Sequence, residues 1–258
     1  MEFSKQLHLK RRLVGARLHE ASERLWESLD ISELYPAMLF CIHAMARASV
    51  PLMKTAADRL RTMTPVDPLA SPLNEYFVRQ IPQEMGHDDW LLEDLEALGR
   101  SRDVILAQMP PPTVAALVGA QYYWILHHHP VALLGYIFVV ESETPSLEWI
   151  ERTAARTGLP REAFRSFSRH AVLESAHNEA LDELLDSLAL TRQQQGLIGV
   201  SVIQTSTMIA RAAEEILELH QLTKNPAGSS MKRSSPHQIA LRSARASSRS
   251  AVSKPSLN

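Results

Sequence analysis

The sequence predicts an all-α protein, and three observations support this fold class. Leu and Ala are abundant whereas glycine is scarce, with 9 residues among 258, and such a composition favours helices. Most segments repeat apolar residues with the i, i+3, i+4, i+7 spacing of one helix face. A single apolar run, VALLGYIFVV at Val131–Val140, fits a buried strand as well as a helix. One ambiguous run among many helical segments favours a helical bundle.

Prolines and glycines indicate where the helices begin and end. Proline suits a first helical turn, where its missing N–H is not needed, and glycine suits the position after a last turn. The expected helices are about Ser4–Leu29, Ser32–Ala48, one beginning at Pro51, one opened by Pro82 and closed by Gly99, one stopped or kinked at Pro130, one beginning near Pro145, Phe164–Leu188 and Thr191–Thr223.

The distribution of charge predicts one domain followed by a tail. No repeat and no linker precedes residue 224, so residues 1–223 are expected to form one domain. Residues 224–258 hold seven Lys and Arg, no acid and many serines, which predicts a basic, disordered tail. The remaining 20 basic and 29 acidic side chains give an acidic body, which argues against nucleic-acid binding.

Cysteine usage and hydropathy predict a cytoplasmic protein that does not enter a membrane. Cys41 is the one cysteine, so no internal disulfide can form, and a reducing compartment is expected. The segment after Met1 is charged and amphipathic rather than an apolar signal core. The longest apolar run, Val131–Val140, is too short to span a bilayer.

The stretch HAVLESAH, His170–His177, predicts a metal site. His170, Glu174 and His177 share one helical stripe with Phe167 and Leu181, so these polar side chains are expected to point into the core. A buried carboxylate without compensation costs several kcal/mol. No basic residue lies on the stripe, whereas imidazole and carboxylate together suit iron, manganese or zinc.

Two further segments supply candidate ligands. Glu84 and His87 lie on an apolar stripe with Leu91, and Glu-x-x-His is expected to place both ligands on successive turns of one helix. About one Glu-x-x-His is expected by chance, but only about 0.04 His-x-x-x-Glu-x-x-His, so the triplet is the stronger signal. Glu141, the first acid after the apolar run, is the third candidate carboxylate.

These stretches resemble the heme-oxygenase-like diiron oxidases, also called iron-containing redox enzymes. The matching segments are EMGHDDWLLEDLEALG, LLGYIFVVESE, HAVLESAHNEALDELL and, more loosely, ARASVPLM. The resemblance covers most of Ile31–Leu219 and implies a heme-oxygenase-like helical bundle. Some members carry the first carboxylate at the position of Gln80, and others at that of Glu84. The implied ligands are Glu84, His87, Glu141, His170, Glu174 and His177.

By resemblance, we expect an O2-activating, iron-dependent oxidoreductase. Such an enzyme would bind Fe(II), two per chain, and use O2 as co-substrate with a reductant partner. Its substrate would be a small organic molecule, fatty-acid-like or amino-acid-like, in specialised metabolism, and a homodimer is common in this fold. Two alternatives stay open: a ferritin-like metal-binding bundle, and a non-catalytic interaction protein that keeps the fold. A ferritin-like bundle needs a Glu about 30 residues before each Glu-x-x-His, and none lies between Glu33 and Glu75.

Other conspicuous residues receive a structural interpretation. The run His127–His129 lies at a helix end, where imidazoles meet terminal carbonyls. His43 is expected to be a satisfied core or pocket-wall histidine, and Cys41 lacks a paired base that would make it a nucleophile. Asp88 and Asn178 are candidates for orienting the ligand rings.

Overall fold

The computed structural model describes residues 2–64, 66–142 and 145–225. Within this part of the chain every regular element is helical, which confirms the all-α prediction. The side chains of residues 173–178 lie outside the description, although the backbone there is helical. The helices are α1 Phe3–Val14, α2 Ala16–Trp26, α3 Ile31–Met63, α4 Ala70–Glu84, α5 His87–Ala97, α6 Arg102–Ala107, α7 Pro112–His127, α8 Leu133–Glu141, α9 Leu147–Thr157, α10 Arg165–Ser187 and α11 Arg192–Lys224.

Helix α3 is the centre of the bundle and packs against α4, α5 and α7. Its buried side chains, with those of α4, α5 and α8, form one apolar core. By length and composition α3 is the one described helix that could cross a membrane. Its fully buried residues, among them Leu39, Leu52 and Leu60, instead make it the core helix of this bundle.

Three predicted helix boundaries were wrong. The segment expected to form one first helix forms two helices. Gly15 separates α1 from α2, because glycine is a poor helix former. Pro51 does not begin a helix but lies inside α3. Pro51 has no N–H and therefore removes one hydrogen bond from the helix. Buried residues before and after Pro51 in α3 pack against the core and keep the helix continuous.

The third error concerns Pro82, which lies in the last turn of α4 rather than opening a helix. Gly86 follows with a φ of 89° and precedes α5. The predicted boundary at Gly99 is confirmed, since Gly99 has a positive φ and its N–H donates to the carbonyl of Glu96. The run Val131–Val140 forms a 3₁₀ turn and α8, so it is not a strand. Helix α6 was not predicted.

Close packing of α8 explains how a short helix can enter the middle of the bundle. A Cβ atom added at Gly135 would lie 2.5 Å from the carbonyl oxygen of Ile198. Only glycine lets α8 approach α11 at this point, and this approach carries Glu141, the last residue of α8, to the candidate site.

The described chain divides into two units. Residues up to Leu217 form one compact unit, and the second begins at Glu218 with the last residues of α11. Residues 226–258 lie outside the described residues. The boundary at residue 224 and the disordered tail therefore stay predictions.

Candidate metal centre

A cavity of about 660 Å³ lies inside the first unit. Most of its wall is apolar, with side chains such as Met38, Trp149 and Ile209. Four of the predicted ligands also line it: Glu84, His87, Glu141 and His170. The fold therefore brings together acids and imidazoles that are up to 86 residues apart in the sequence.

Glu84 and His87 meet across a turn between two helices. Glu84 is the last residue of α4 and His87 is the first of α5. Gly86 adopts the left-handed conformation that glycine tolerates best, and this conformation reverses the chain direction. His87 Nδ1 then lies 3.2 Å from Glu84 Oε2, with only 5% and 11% of the two side chains exposed. The prediction that both lie on one helix was wrong, but they do meet.

His170 reaches the same place from α10. Its Nδ1 lies 2.9 Å from the carbonyl oxygen of Ser166, and because a carbonyl only accepts, Nδ1 donates. In the neutral ring Nε2 then carries the lone pair. That Nε2 lies 3.1 Å from His87 Nδ1. Helices α5 and α10 therefore each place one imidazole nitrogen at the same part of the cavity wall.

The surroundings of His170 favour the neutral ring that a metal ligand requires. Burial lowers the pKa of His170, and the neighbouring His87 lowers it further. The bond to Ser166 and the charges of Glu141 and Glu84 act in the opposite direction but do not reverse the shift. A deprotonated imidazole nitrogen is the form that binds a metal ion.

Glu141 completes the described part of the cluster. It is half-buried at the end of α8 and lines the cavity. Its charge and that of Glu84 both act on His170 and on the hydroxyl of Tyr76, whose pKa is raised mainly by burial. Glu141 and Glu84 therefore both lie near His170 and Tyr76.

The remaining predicted ligands, Glu174 and His177, lie outside the described side chains. Their backbone belongs to α10, which also carries His170. Among the side chains that the structure does describe, no three of His, Cys, Asp and Glu converge tightly enough to hold a metal ion.

The chain is similar to one protein-family model and to solved structures. The model for iron-containing redox enzymes matches residues 41–206, a range that contains all six predicted ligands. The chain belongs to the iron-containing redox enzyme family.

Solved structures show that this member of the family has the heme-oxygenase-like fold. A domain of unknown function with that fold from Shewanella denitrificans superposes with a TM-score of 0.64 at 17% identity, over 85% of this chain and 92% of that one. A TenA homologue from Pseudomonas syringae pv. tomato gives a TM-score of 0.67 at 14% identity, over 84% and 93%. No curated protein matches the sequence.

The described donors are of the chemical types that suit the iron that the family name indicates, although by themselves they do not form a complete ligand set. Carboxylate oxygen and imidazole nitrogen are suitable ligands for iron. Glu84, His87 and His170 are held at one wall of the cavity by short contacts, and Glu141 lies at the same cavity. His87 Nδ1 lies within hydrogen-bonding distance of both Glu84 Oε2 and His170 Nε2, and a bound metal cation would take the place of these hydrogen bonds.

Residues outside the predicted set also shape the candidate site. The backbone of Ser166 orients His170, and Trp90 stacks on the ring of His87 with centroids 4.2 Å apart. Asp94, fully buried on α5, accepts hydrogen bonds from the backbone N–H and hydroxyl of Ser166. None of these three was predicted from the sequence. The predicted orienting residues were Asp88, whose role stays a prediction, and Asn178, whose side chain lies outside the described residues.

The residues interpreted as structural differ from expectation in two ways. His129 contacts the carboxylate of Asp67 at 2.6 Å and accepts from the N–H of Val131, whereas terminal carbonyls were expected as its partners. Cys41 lines the cavity, but burial raises the pKa of its thiol to about 11, so it is not a thiolate at neutral pH. His43 is buried as expected, but neither ring nitrogen has a hydrogen-bond partner among the described residues, so it is not satisfied.

Proposed function

We propose that this iron-containing redox enzyme is a non-heme diiron oxidase or oxygenase. It would bind two Fe(II) ions per chain and activate O2 to oxidise a small organic substrate in the cytoplasm. The observation that carries the proposal is the meeting of Glu84, His87 and His170 at one wall of a cavity large enough for an organic molecule.

The roles of the side chains follow from their positions. Glu84, Glu141 and Glu174 would supply the hard, negatively charged oxygens, and His87, His170 and His177 would supply neutral nitrogens. Bound iron would contribute the reduction of O2 by electron transfer. The protein fixes the ring of His170 through Ser166 and surrounds the reacting groups with apolar side chains that exclude water.

The cavity wall favours a fatty-acid-like substrate over an amino-acid-like one. Apolar side chains from five or more helices form most of the wall, and none of the described lining residues is Lys or Arg. Recognition of a free amino acid needs a buried basic partner for its carboxylate. An apolar chain is suited to this wall, and the carboxylate of a fatty acid can stay at the open end of the cavity in water, whereas a free amino acid carries two charges and too short an apolar part to separate them from the wall. The volume of about 660 Å³ is in the usual range for ligands of that size.

Iron binding and O2 reactivity are the first test. Anaerobic titration with ferrous ion, metal analysis after desalting and exposure to O2 under an ultraviolet-visible probe should give close to two irons per chain and a transient absorption. One retained iron with O2 reactivity would still support the enzyme, because the second ion can be held weakly. Absence of specific iron binding would overturn the proposal.

The same experiment separates the two alternatives. A ferritin-like bundle would turn over iron without an organic substrate, and the apolar cavity gives iron storage no advantage. An interaction protein would not respond to iron and would tolerate loss of His170. Deleting residues 224–258 should leave iron binding intact if the tail is separate from the domain.

Substrate class can be tested by fluorescence, because Trp26 and Trp149 line the cavity with ring centroids 4.5 Å apart. Dodecanoate should quench saturably and leucine should not. Ala213→Trp, which narrows the cavity that Ala213 lines, should weaken dodecanoate binding while iron still binds. Ala115→Trp, on an exposed site outside the cavity, is the control. Equal fluorescence quenching by leucine and dodecanoate would contradict a fatty-acid-like substrate.

A further inference from the structure

Asp94 is a charged residue in a place where charge is unfavourable. Its exposed fraction is 0%, and a buried carboxylate is tolerated only when hydrogen bonds or a counter-charge stabilise it. Its Oδ2 accepts from the backbone N–H of Ser166 at 3.0 Å and also from the Ser166 hydroxyl. Burial raises the pKa of Asp94 to about 6, although the bonds from Ser166 and Arg165 lower it.

These hydrogen bonds place Asp94 at the beginning of another helix. Arg165 and Ser166 are the first two residues of α10, whose N–H groups have no partner inside the helix. A carboxylate here satisfies the N–H of Ser166 and interacts favourably with the helix dipole. Asp94 therefore serves as an N-terminal cap of α10 that is supplied by α5.

The cap and the histidine contact join the same two helices. Helix α5 carries His87 and, seven residues later, Asp94, a spacing of two turns on one face. Helix α10 carries Ser166 and, four residues later, His170. Asp94 bonds Ser166 and His87 contacts His170, so the two contacts lie side by side. The carbonyl of Ser166 also accepts the Nδ1 proton of His170.

We propose that Asp94 is the positioning residue that sets the ring orientation and tautomer of His170 through Ser166. Asp94 fixes the first turn of α10 against α5, and the Ser166 carbonyl in that turn holds the Nδ1 proton. Nε2 is thereby left unprotonated and aimed at His87. This inference rests on the proposed function only in taking His170 as an iron ligand.

The chain contains a matched control for a purely structural role. Asp186, near the other end of α10, accepts from the backbone N–H of Ser4 at 2.9 Å and from its hydroxyl at 2.6 Å. It thus joins α1 to α10 with the same donor groups. The histidine four residues after Ser4, His8, contacts Asp182 through its Nε2 and belongs to no predicted ligand set. Asp186→Ala should destabilise the fold without affecting His170.

The test compares Asp94→Ala, Asp94→Asn, Ser166→Ala and Asp186→Ala. Nitrogen NMR of the metal-free proteins, with the His170 signal assigned by its loss in His170→Gln, reports the tautomer. Cobalt(II) or ferrous titration reports metal affinity. We expect Asp94→Ala to give mixed tautomers and about tenfold weaker metal binding, and Asp94→Asn to restore both, since an amide oxygen still accepts. Ser166→Ala, a milder change that keeps the carbonyl, should show an intermediate effect if Asp94→Ala does not fold.

Two results would overturn the inference. A folded Asp94→Ala with an unchanged His170 tautomer would show that Ser166 does not need its cap. Equal loss of metal affinity in Asp94→Ala and Asp186→Ala would reduce Asp94 to a stability residue. Failure of the wild type to bind iron would instead contradict the proposed function, and the tautomer measurement would still decide the role of Asp94.

Discussion

The spacing Glu-x-x-His occurs twice in this chain, and the backbone differs between the two copies. In EMGH, Glu84 ends α4, His87 begins α5, and the residues between them form a turn. In ESAH, Glu174 and His177 lie within one uninterrupted helix, α10. The same three-residue separation thus spans a change of direction in one case and one helical turn in the other.

The residue before each histidine explains the difference. Gly86 takes a φ of 89°, which costs an L-residue about 1–2 kcal/mol but costs glycine almost nothing. Ala176 is a strong helix former in the corresponding position of ESAH. A shared ligand spacing therefore does not imply a shared backbone, and the turn lets Glu84 belong to a different helix from His87.

Removing one histidine from each copy should have the largest effect. His87→Ala and His177→Ala should each lower iron stoichiometry below that of the wild type and abolish O2 chemistry while the helix content persists, because each removes one nitrogen ligand. Metal analysis and circular dichroism measure the two quantities. His128→Ala, at an exposed site in the histidine run, should retain all its iron.

Full iron content in His177→Ala would exclude ESAH from the site and leave the turn copy as the metal-binding element. Full content in His87→Ala would instead show that His87 only stacks on Trp90. Either result would show that the two copies differ in function as well as in backbone.

The sequence was sufficient to predict the helical fold, the family and the grouping of four predicted ligands at one cavity. These depend on hydrophobic periodicity and on residue types at fixed spacing, which local sequence retains. The break at Gly86 was missed because a glycine inside an amphipathic pattern is compatible with a helix as well as with a turn.

Asp94 was missed for a different reason. It lies among Glu93 and Glu96 in LLEDLEALG, where acids are normally solvent-exposed. Its position seven residues after His87, on the stripe of Leu91 and Leu95, was the signal that it faces inward. The Ser166 partner is 72 residues away, and only the packed fold shows such a contact.

The carboxyl of Asp94 on α5 predicts that the free energy of unfolding depends on pH, with the opposite sign to the effect of Asp186 on α10. Burial raises its pKa from 3.8 to about 6, so the folded state binds the proton more tightly than the unfolded state. The stabilisation is fully present below pH 3.8 and is lost as the pH rises through about 6. A shift of about 2 units corresponds to about 3 kcal/mol.

Urea unfolding of the metal-free wild type and Asp94→Asn at pH 4 and pH 7 measures this effect. The wild type should lose up to about 3 kcal/mol relative to Asp94→Asn over that interval. Asp186→Asn should show the opposite pH dependence. Desolvation raises the pKa of Asp186, but the Ser4 hydrogen bonds outweigh it and lower the pKa. Parallel curves for wild type and Asp94→Asn would show that Asp94 is not a buried ionisable group.

Changing the turn itself should have the smallest effect on stability and a specific effect on metal binding. Gly86→Ala should cost about 1–2 kcal/mol, because a Cβ is unfavourable at positive φ. The position is otherwise open, since an added Cβ would meet nothing within 4 Å. Gly158, the cap of α9, has a φ of 67° and equally open surroundings, so Gly158→Ala should cost the same.

The two variants should differ in iron affinity alone. Relaxation of the substituted backbone at position 86 toward a helical φ would turn Glu84 away from His87, so Gly86→Ala should bind iron more weakly while Gly158→Ala matches the wild type. Gly86→Asn should recover much of the loss, because asparagine tolerates the left-handed conformation better than alanine. Equal iron affinity in Gly86→Ala and Gly158→Ala would mean that the turn only connects α4 to α5, and that Glu84 finds its position without it.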